Sequence, residues 1–229
     1  MEKKILSIRA EEVKSRLLHR QPLKERFRLA LNESDMYNYL LGAVMAEVES
    51  RRQHFEMTKD LQDQLTQMAK YLTSDSRKFG IILIGGCGNG KTTLIRAFQR
   101  LLNMWQIPCR EGYERQWAIQ IISAKEVISQ YRENPKQIRN LFQRNMLAID
   151  DLGTEAVEIM NFGNVETPIT DIISKRYDEQ KFTIFSTNLA VSDIRSRYGI
   201  RIADRFNEMC KKITFPNSSY RMHGEKGAK

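Results

Sequence analysis

Read from its amino terminus, the chain changes hydrophobic period once. Up to about residue 57, apolar positions recur every three to four residues. Tyr37, Leu40, Leu41, Val44 and Val48 fall on one helical face, and Val13, Leu17 and Leu18 make a shorter stripe. Leu61, Leu65, Met68, Ala69 and Leu72 predict a further amphipathic helix. From Phe79 onward short apolar, β-branched runs alternate with helical stretches. Ile81–Ile84, Ala118–Ile122, Met146–Ile149, Phe182–Ser186 and Lys212–Phe215 read as five strands. Between them the spacing predicts helices over Thr92–Trp105, Ala124–Arg144 with a break near Pro135, Pro168–Gln180 and Val191–Met209. Thr167 is the expected N-cap before Pro168. Strands alternating with helices predict an α/β fold, a parallel five-stranded sheet between helices, preceded by an N-terminal helical segment over residues 1–57.

Composition narrows the class. The 229 residues suffice for one well-buried domain and an appendage, and not for two ordinary domains. A 41% hydrophobic and 28% charged content excludes wholesale disorder. Thirty-seven Lys and Arg against 28 Asp and Glu give a net charge of +9, which favours a polyanionic partner. The three cysteines, Cys87, Cys109 and Cys210, and the three histidines are scattered, so a structural metal site is not expected. No apolar run approaches the roughly 20 residues that cross a bilayer. The start, MEKKILSIRAEE, lacks the apolar region of a secretory signal, so a cytoplasmic location and no membrane contact are expected.

The chemistry is carried by two strand ends. Gly85-Gly86-Cys87-Gly88-Asn89-Gly90-Lys91-Thr92 fits the phosphate loop G-x-x-x-x-G-K-[ST]. Glycines let backbone N–H groups wrap an anion, and the helix that follows adds its positive end. Gly85, Gly88, Asn89, Gly90, Lys91, Thr92 and Thr93 are the candidate ATP contacts, with Lys91 on the β- and γ-phosphates and Thr92 on Mg²⁺. Fifty-eight residues separate Lys91 from Asp150, which ends an apolar strand with Asp151 beside it. Asp150 is the second candidate Mg²⁺ ligand, and Asp151 the group that positions or deprotonates the attacking water. The fourth strand ends in Asn188, which can touch the γ-phosphate or the water if that strand lies between the other two. Arg195, Arg197, Arg201, Arg205 and Arg221 follow. From residue 195 to 229 there are nine basic residues against three acidic. Arg201 and Arg205 share a helical face, from which an arginine can reach a neighbouring subunit's nucleotide.

Taken in order, Gly85-x-x-Gly88-x-Gly90-Lys91-Thr92, Ile149-Asp150-Asp151-Leu152-Gly153-Thr154-Glu155, Ser186-Thr187-Asn188-Leu189, Arg201-Ile-Ala-Asp-Arg205 and Ser219-Tyr220-Arg221 resemble the AAA+ ATPases of the DnaC/DnaI helicase-loader group. The related IstB-type transposition helpers share much of the pattern. The resemblance covers residues 58–222 and leaves 223–229 as a basic tail. It implies an ASCE-type P-loop NTPase with Asn188 as sensor I, Arg205 as the finger acting in trans and Arg221 as sensor II. It further implies ATP-driven head-to-tail self-association, ssDNA binding and delivery of a ring-shaped DnaB-type replicative helicase. The sequence departs from the wider AAA+ pattern in carrying Asp-Asp where Asp-Glu is usual. The shorter carboxylate is expected to slow hydrolysis, with Glu155 a candidate to assist. Only fourteen residues follow Phe215, so no full C-terminal lid domain is expected. The zinc module that precedes some loaders lacks its ligands here, and the N-terminal helices are the candidate helicase grip.

Candidate DNA contacts are Lys125, Arg132, Lys136, Arg139, Arg144, Lys211 and Lys212. Trp105, Tyr113 and Trp117 around Arg110 and Arg115 could stack bases. The competing readings are a transposition helper, a P-loop small-molecule kinase and a nucleotide-switched binding protein that scarcely hydrolyses ATP.

Overall fold

A computed structural model of the chain describes residues 9–20, 26–109, 114–136, 138–161 and 163–220. Helix α1 (Ala10–Arg20) is followed by α2 (Glu33–Glu49), capped by Asn32, and α3 (Lys59–Thr73), capped by Thr58. Then come β1 (Gly80–Gly85), α4 (Lys91–Trp105), β2 (Ile119–Ser123), α5 (Ala124–Glu133), α6 (Arg139–Gln143) and β3 (Met146–Leu152). A short antiparallel hairpin, β4 (Ile159–Asn161) and β5 (Asn164–Glu166), leads to α7 (Pro168–Asp178), β6 (Phe182–Thr187), α8 (Val191–Tyr198), α9 (Ile200–Met209) and β7 (Cys210–Phe215). The hairpin was not expected from the sequence. Thr167 does precede α7, but its side chain makes no capping bond, and Pro168 sets the first turn instead. The break near Pro135 separates α5 from α6.

The main sheet has the order β2-β3-β6-β1-β7, and every neighbouring pair is parallel. Strand β6 therefore lies between the phosphate-loop strand and the acidic strand. Alternation along each strand serves two cores. Ile81, Leu83, Met146 and Ala148 face α2, α3 and α4, while Ile82, Leu147, Ile149 and Phe185 face α5, α7 and α9.

The N-terminal segment is not set apart from this core. Phe27, Leu29, Met36, Leu40 and Val44 belong to the same buried cluster as Leu94, Phe98 and Phe182. Arg28 fastens the approach: its guanidinium donates to the carbonyls of Ser74, Ser76 and Lys78 and lies 4.5 Å from the centre of the Tyr71 ring. The core thus runs without a break across residue 57. Helix α1 differs, since it places no residue in either core and leaves Val13, Leu17 and Leu18 exposed.

On the opposite face Arg176 of α7 is fully buried. It donates to Thr183 Oγ1 and to the carbonyls of Leu141, Arg144 and Phe182 at 2.7–3.0 Å. Burial pushes its pKa down to about 9, against weaker opposing effects of Glu179 and Glu114. It ties α7 to the starts of β3 and β6, at the sheet edge remote from the phosphate loop.

Candidate nucleotide-binding site

The site begins where β1 runs into α4. Gly90, the residue before the helix, sits at φ 98°, a left-handed conformation that glycine adopts without strain. Lys91 then opens the helix, and its ammonium turns back over the loop. It donates to Gly85 O at 2.7 Å, Gly86 O at 2.6 Å, Asn89 Oδ1 at 3.1 Å and Asn188 Oδ1 at 2.8 Å. Burial lowers its pKa, and the charges of Asp151, Cys87 and Asp150, in that order, oppose the shift. Thr93 lies half-buried in the first turn.

Asn89 and the chain after β7 steady the loop from outside. Asn89 is buried and donates to Phe215 O at 2.8 Å. Asn217 Nδ2 donates to Asn89 O at 3.0 Å, and Asn217 Oδ1 accepts from Gln64 Nε2 at 3.0 Å. The Tyr220 amide donates to Gly88 O at 3.0 Å, and its hydroxyl lies 3.2 Å from that of Thr58. Sequence reasoning missed Gln64, Asn217 and Tyr220 in this role. The signals were a polar run, Asn217-Ser218-Ser219-Tyr220, directly after the last strand and the Ser219-Tyr220-Arg221 motif that overlaps it.

The acidic strand does not end as a regular strand. Ile149 pairs with Phe185 and Leu152 with Thr187, so three steps on β3 match two on β6. This bulge contains Asp150 and Asp151, and Asp151 takes a left-handed φ of 54°. Regular alternation would send the two carboxylates to opposite faces; the bulge re-aims the second. Asp150 is buried, accepts from Thr92 Oγ1 at 2.9 Å and accepts a short hydrogen bond from Ser186 Oγ. Asp151 is exposed, and its amide donates to the same Ser186 oxygen at 2.9 Å. Asn188, just past β6, completes the cluster by accepting from Lys91 and donating to Cys87 Sγ at 3.1 Å.

The structure thus gathers Lys91, Thr92, Asp150 and Asn188, with Asp151 at their edge. Glu155 is held elsewhere: it is buried, and both carboxylate oxygens are engaged, by Tyr198 OH and by Gly153 N. Arg205 is not in the cluster. It is buried over the Tyr177 ring at 5.0 Å, with Nη2 3.4 Å from Asp178 Oδ1, while Arg201 is exposed one turn earlier. Arg221, Arg110, Tyr113 and the basic tail lie outside the described residues. Lys125, Arg132, Lys136, Arg139 and Arg144 are exposed, and Arg144 pairs with Glu114 at 2.9 Å. Lys212 donates to Asn207 Oδ1 at 2.6 Å. Trp105 packs on Tyr39 and Trp117 on Phe27, each at 5.1 Å, so both are at least partly committed to the core.

A hydroxyl and a carboxylate already in contact, Thr92 and Asp150, are the hard oxygen donors that Mg²⁺ takes when phosphates and water supply its remaining positions. The residues present therefore fit a nucleotide-bound Mg²⁺. No group of three or more His, Cys, Asp or Glu able to hold a metal by itself occurs among the described residues.

A phosphate loop on β1, an acidic end on β3 and a polar residue on an intervening strand define a P-loop NTPase of the AAA+ type. The chain belongs to the family of IstB-like ATP-binding proteins, whose sequence profile matches residues 16–228. Among solved structures it is similar to the DnaC helicase loader, at 20% identity and a TM-score of 0.53 over 71% of this chain and 93% of that one. It is similar to DnaI at 17% identity and a TM-score of 0.54, over 76% and 93%. At these identities the likeness is one of fold. A comparison with curated protein sequences gave no match. No helix among the described residues is long and apolar enough to cross a membrane.

Proposed function

We propose that the protein hydrolyses Mg²⁺–ATP slowly and uses the cycle to load a ring-shaped replicative helicase of the DnaB type onto ssDNA. The observation that carries the hydrolytic part is the meeting of Asn188 with Lys91, which β6 makes possible by standing between β1 and β3. Lys91 leaves its nest of loop oxygens for the β- and γ-phosphates when ATP enters. Thr92 and Asp150 hold Mg²⁺, which supplies charge neutralisation on the phosphates when bound. Asp151 accepts the proton of the attacking water, and Asn188 orients that water or the γ-phosphate. Arg205 acts on the ATP of the next subunit in a head-to-tail assembly, and Arg221 on the ATP of its own. Arg205 must come away from Tyr177 to do so, which suits a finger that engages only on assembly.

Two experiments test this. Mixing Arg205→Ala with Lys91→Ala subunits should restore part of the ATP turnover that each lacks alone. No recovery, with both variants folded and associating, removes the trans finger. Co-sedimentation with the replicative helicase of the same host, with ATP, should give a complex. The family profile favours a second reading, a transposition helper that marks target DNA. Absence of a helicase complex, with ATP-dependent capture by a transposase, would select it.

A further inference from the structure

The turn that follows the acidic strand is closed by a contact from outside the nucleotide site. Asp151 O accepts from Thr154 N at 3.2 Å and from Thr154 Oγ1 at 2.8 Å. Gly153, at φ 102°, leaves no room for a side chain, since a Cβ would stand 2.6 Å from Leu189. The Gly153 amide donates to Glu155 Oε2 at 2.8 Å, and Glu155 Oε1 accepts a short hydrogen bond from the Tyr198 hydroxyl. Arg197 donates to Glu155 O, and its guanidinium lies 5.7 Å from the centre of the Tyr198 ring. Tyr198 is the last residue of α8 and is buried.

We propose that Glu155 is a positioning residue for hydrolysis, with Tyr198 as its clasp: the pair fixes the 151–155 turn so that Asp151 is held toward the phosphate loop. This rests on the role proposed above for Asp151. Glu155 is buried with each carboxylate oxygen already accepting a hydrogen bond, from Gly153 N and from Tyr198 OH, whereas Asp151 is exposed and its charge favours the protonated form of Lys91. Asp151 also occupies the left-handed region, uncommon for residues other than Gly, Asn and Asp, and such conformations persist where surrounding contacts over-determine them. Ser186 holds the turn from β6, Leu189 fills the space against Gly153, and Glu155 with Tyr198 closes the open side. Tyr198 remains the donor because burial, and next the Glu155 carboxylate, raise the pKa of its phenol.

The test compares Tyr198→Phe, Glu155→Gln and Asp151→Asn in the full chain. Tyr198→Phe removes one hydroxyl and keeps the packed ring. It should lower kcat about tenfold while leaving KM for ATP and equilibrium ATP affinity unchanged. Glu155→Gln, which keeps one acceptor, should fall between Tyr198→Phe and Asp151→Asn. Wild-type kcat in Tyr198→Phe with Glu155→Gln as inactive as Asp151→Asn would make Glu155 the base itself and overturn the proposal. Lowered thermal stability with unchanged kcat in both clasp variants would reduce the contact to a structural one and also overturn it. Amide hydrogen exchange at Gly153 gives a reading that needs no turnover: it should speed up in both clasp variants, and unchanged exchange overturns the clasp. If the wild-type chain binds ATP without hydrolysing it, the ATPase reading fails, and exchange alone decides whether the clasp holds the turn.

Discussion

Replacing Lys91 by Ala perturbs two states of the site in measurably different ways. Without nucleotide the buried ammonium satisfies two loop carbonyls and the side-chain oxygens of Asn89 and Asn188. Hydrogen bonds to a charged donor contribute about 1.5–3 kcal/mol each. The cost of burying the ammonium opposes them, and water entering the space left by the side chain offsets part of the loss. A net destabilisation of about 1–2 kcal/mol follows, or about 2–8 °C for a chain of this size. With ATP at about 100 times its Kd, the wild-type chain gains about 2.7 kcal/mol. If the variant binds ATP about 100-fold more weakly, the same concentration stabilises it by only about 0.4 kcal/mol. Thermal unfolding of both proteins, with and without ATP, reads both effects. A variant as stable as wild type without nucleotide would show that the nest of oxygens contributes nothing. An undiminished ATP-induced shift would refute the phosphate-loop assignment.

Arg176→Met should cost about 3 kcal/mol of stability, because the carbonyls of Leu141, Arg144 and Phe182 lose their donor. The ATP affinity of the folded variant should stay at the wild-type value, which equilibrium binding checks. Removing residues 1–20 should leave the melting temperature and ATP binding unchanged, since α1 lies outside both cores. Removing residues 1–55 takes Met36, Leu40 and Val44 from the core and should give a protein that does not fold, as circular dichroism would show. ATP affinity should decline as pH rises toward the ordinary lysine range. Lys91 has a depressed pKa when free of nucleotide, and anionic phosphates raise it in the complex. Binding therefore takes up a proton above the depressed pKa and weakens there, while a flat profile would mean that Lys91 does not meet the phosphates.

The five strands and the phosphate loop were legible because each is a local pattern, an apolar run closed by residues of fixed chemistry. The features that needed the structure are set by contacts distant in sequence. Nothing near Asp150 and Asp151 announces a bulge; it arises because Ser186 bonds one carboxylate and the other residue's amide, and because Leu189 fills the space against Gly153. Arg176 reads as one more solvent-facing cation at the end of a helix, yet a pocket of carbonyls from α6, β6 and the chain before β3 encloses it. The apolar stripe of α2 was read correctly as a helix face. What it covers, α4 of the ATPase core, was not in the periodicity. Trp105 and Trp117 stood among basic residues in a pattern suited to nucleic acid, and both turn out to pack on aromatic residues of the N-terminal segment. The β4–β5 hairpin was missed because its strands are too short for any period to show.

The position of β6 explains why one strand carries so much of the site. It has two parallel neighbours, and the residues at its C-terminal end are polar although Ser186 and Thr187 are fully buried. Each of the three is spent on a different partner: Ser186 on Asp150, Thr187 on the carbonyl of Leu152 at 2.6 Å and Asn188 on Lys91. A strand at the sheet edge, or one paired only with β1, would bring at most one of these partners within reach. With β3 directly beside β1, Asp150 would still lie near Thr92, but Asn188 would have no path to Lys91. The insertion of β6 therefore does more than widen the sheet. In the proposed cycle, where Lys91 releases Asn188 to bind ATP, a change at the phosphate loop is felt at the strand whose Ser186 bonds the Asp150 carboxylate and the Asp151 amide. The residues proposed for hydrolysis and for nucleotide sensing then meet on one strand, tied at its far end by the buried guanidinium of Arg176.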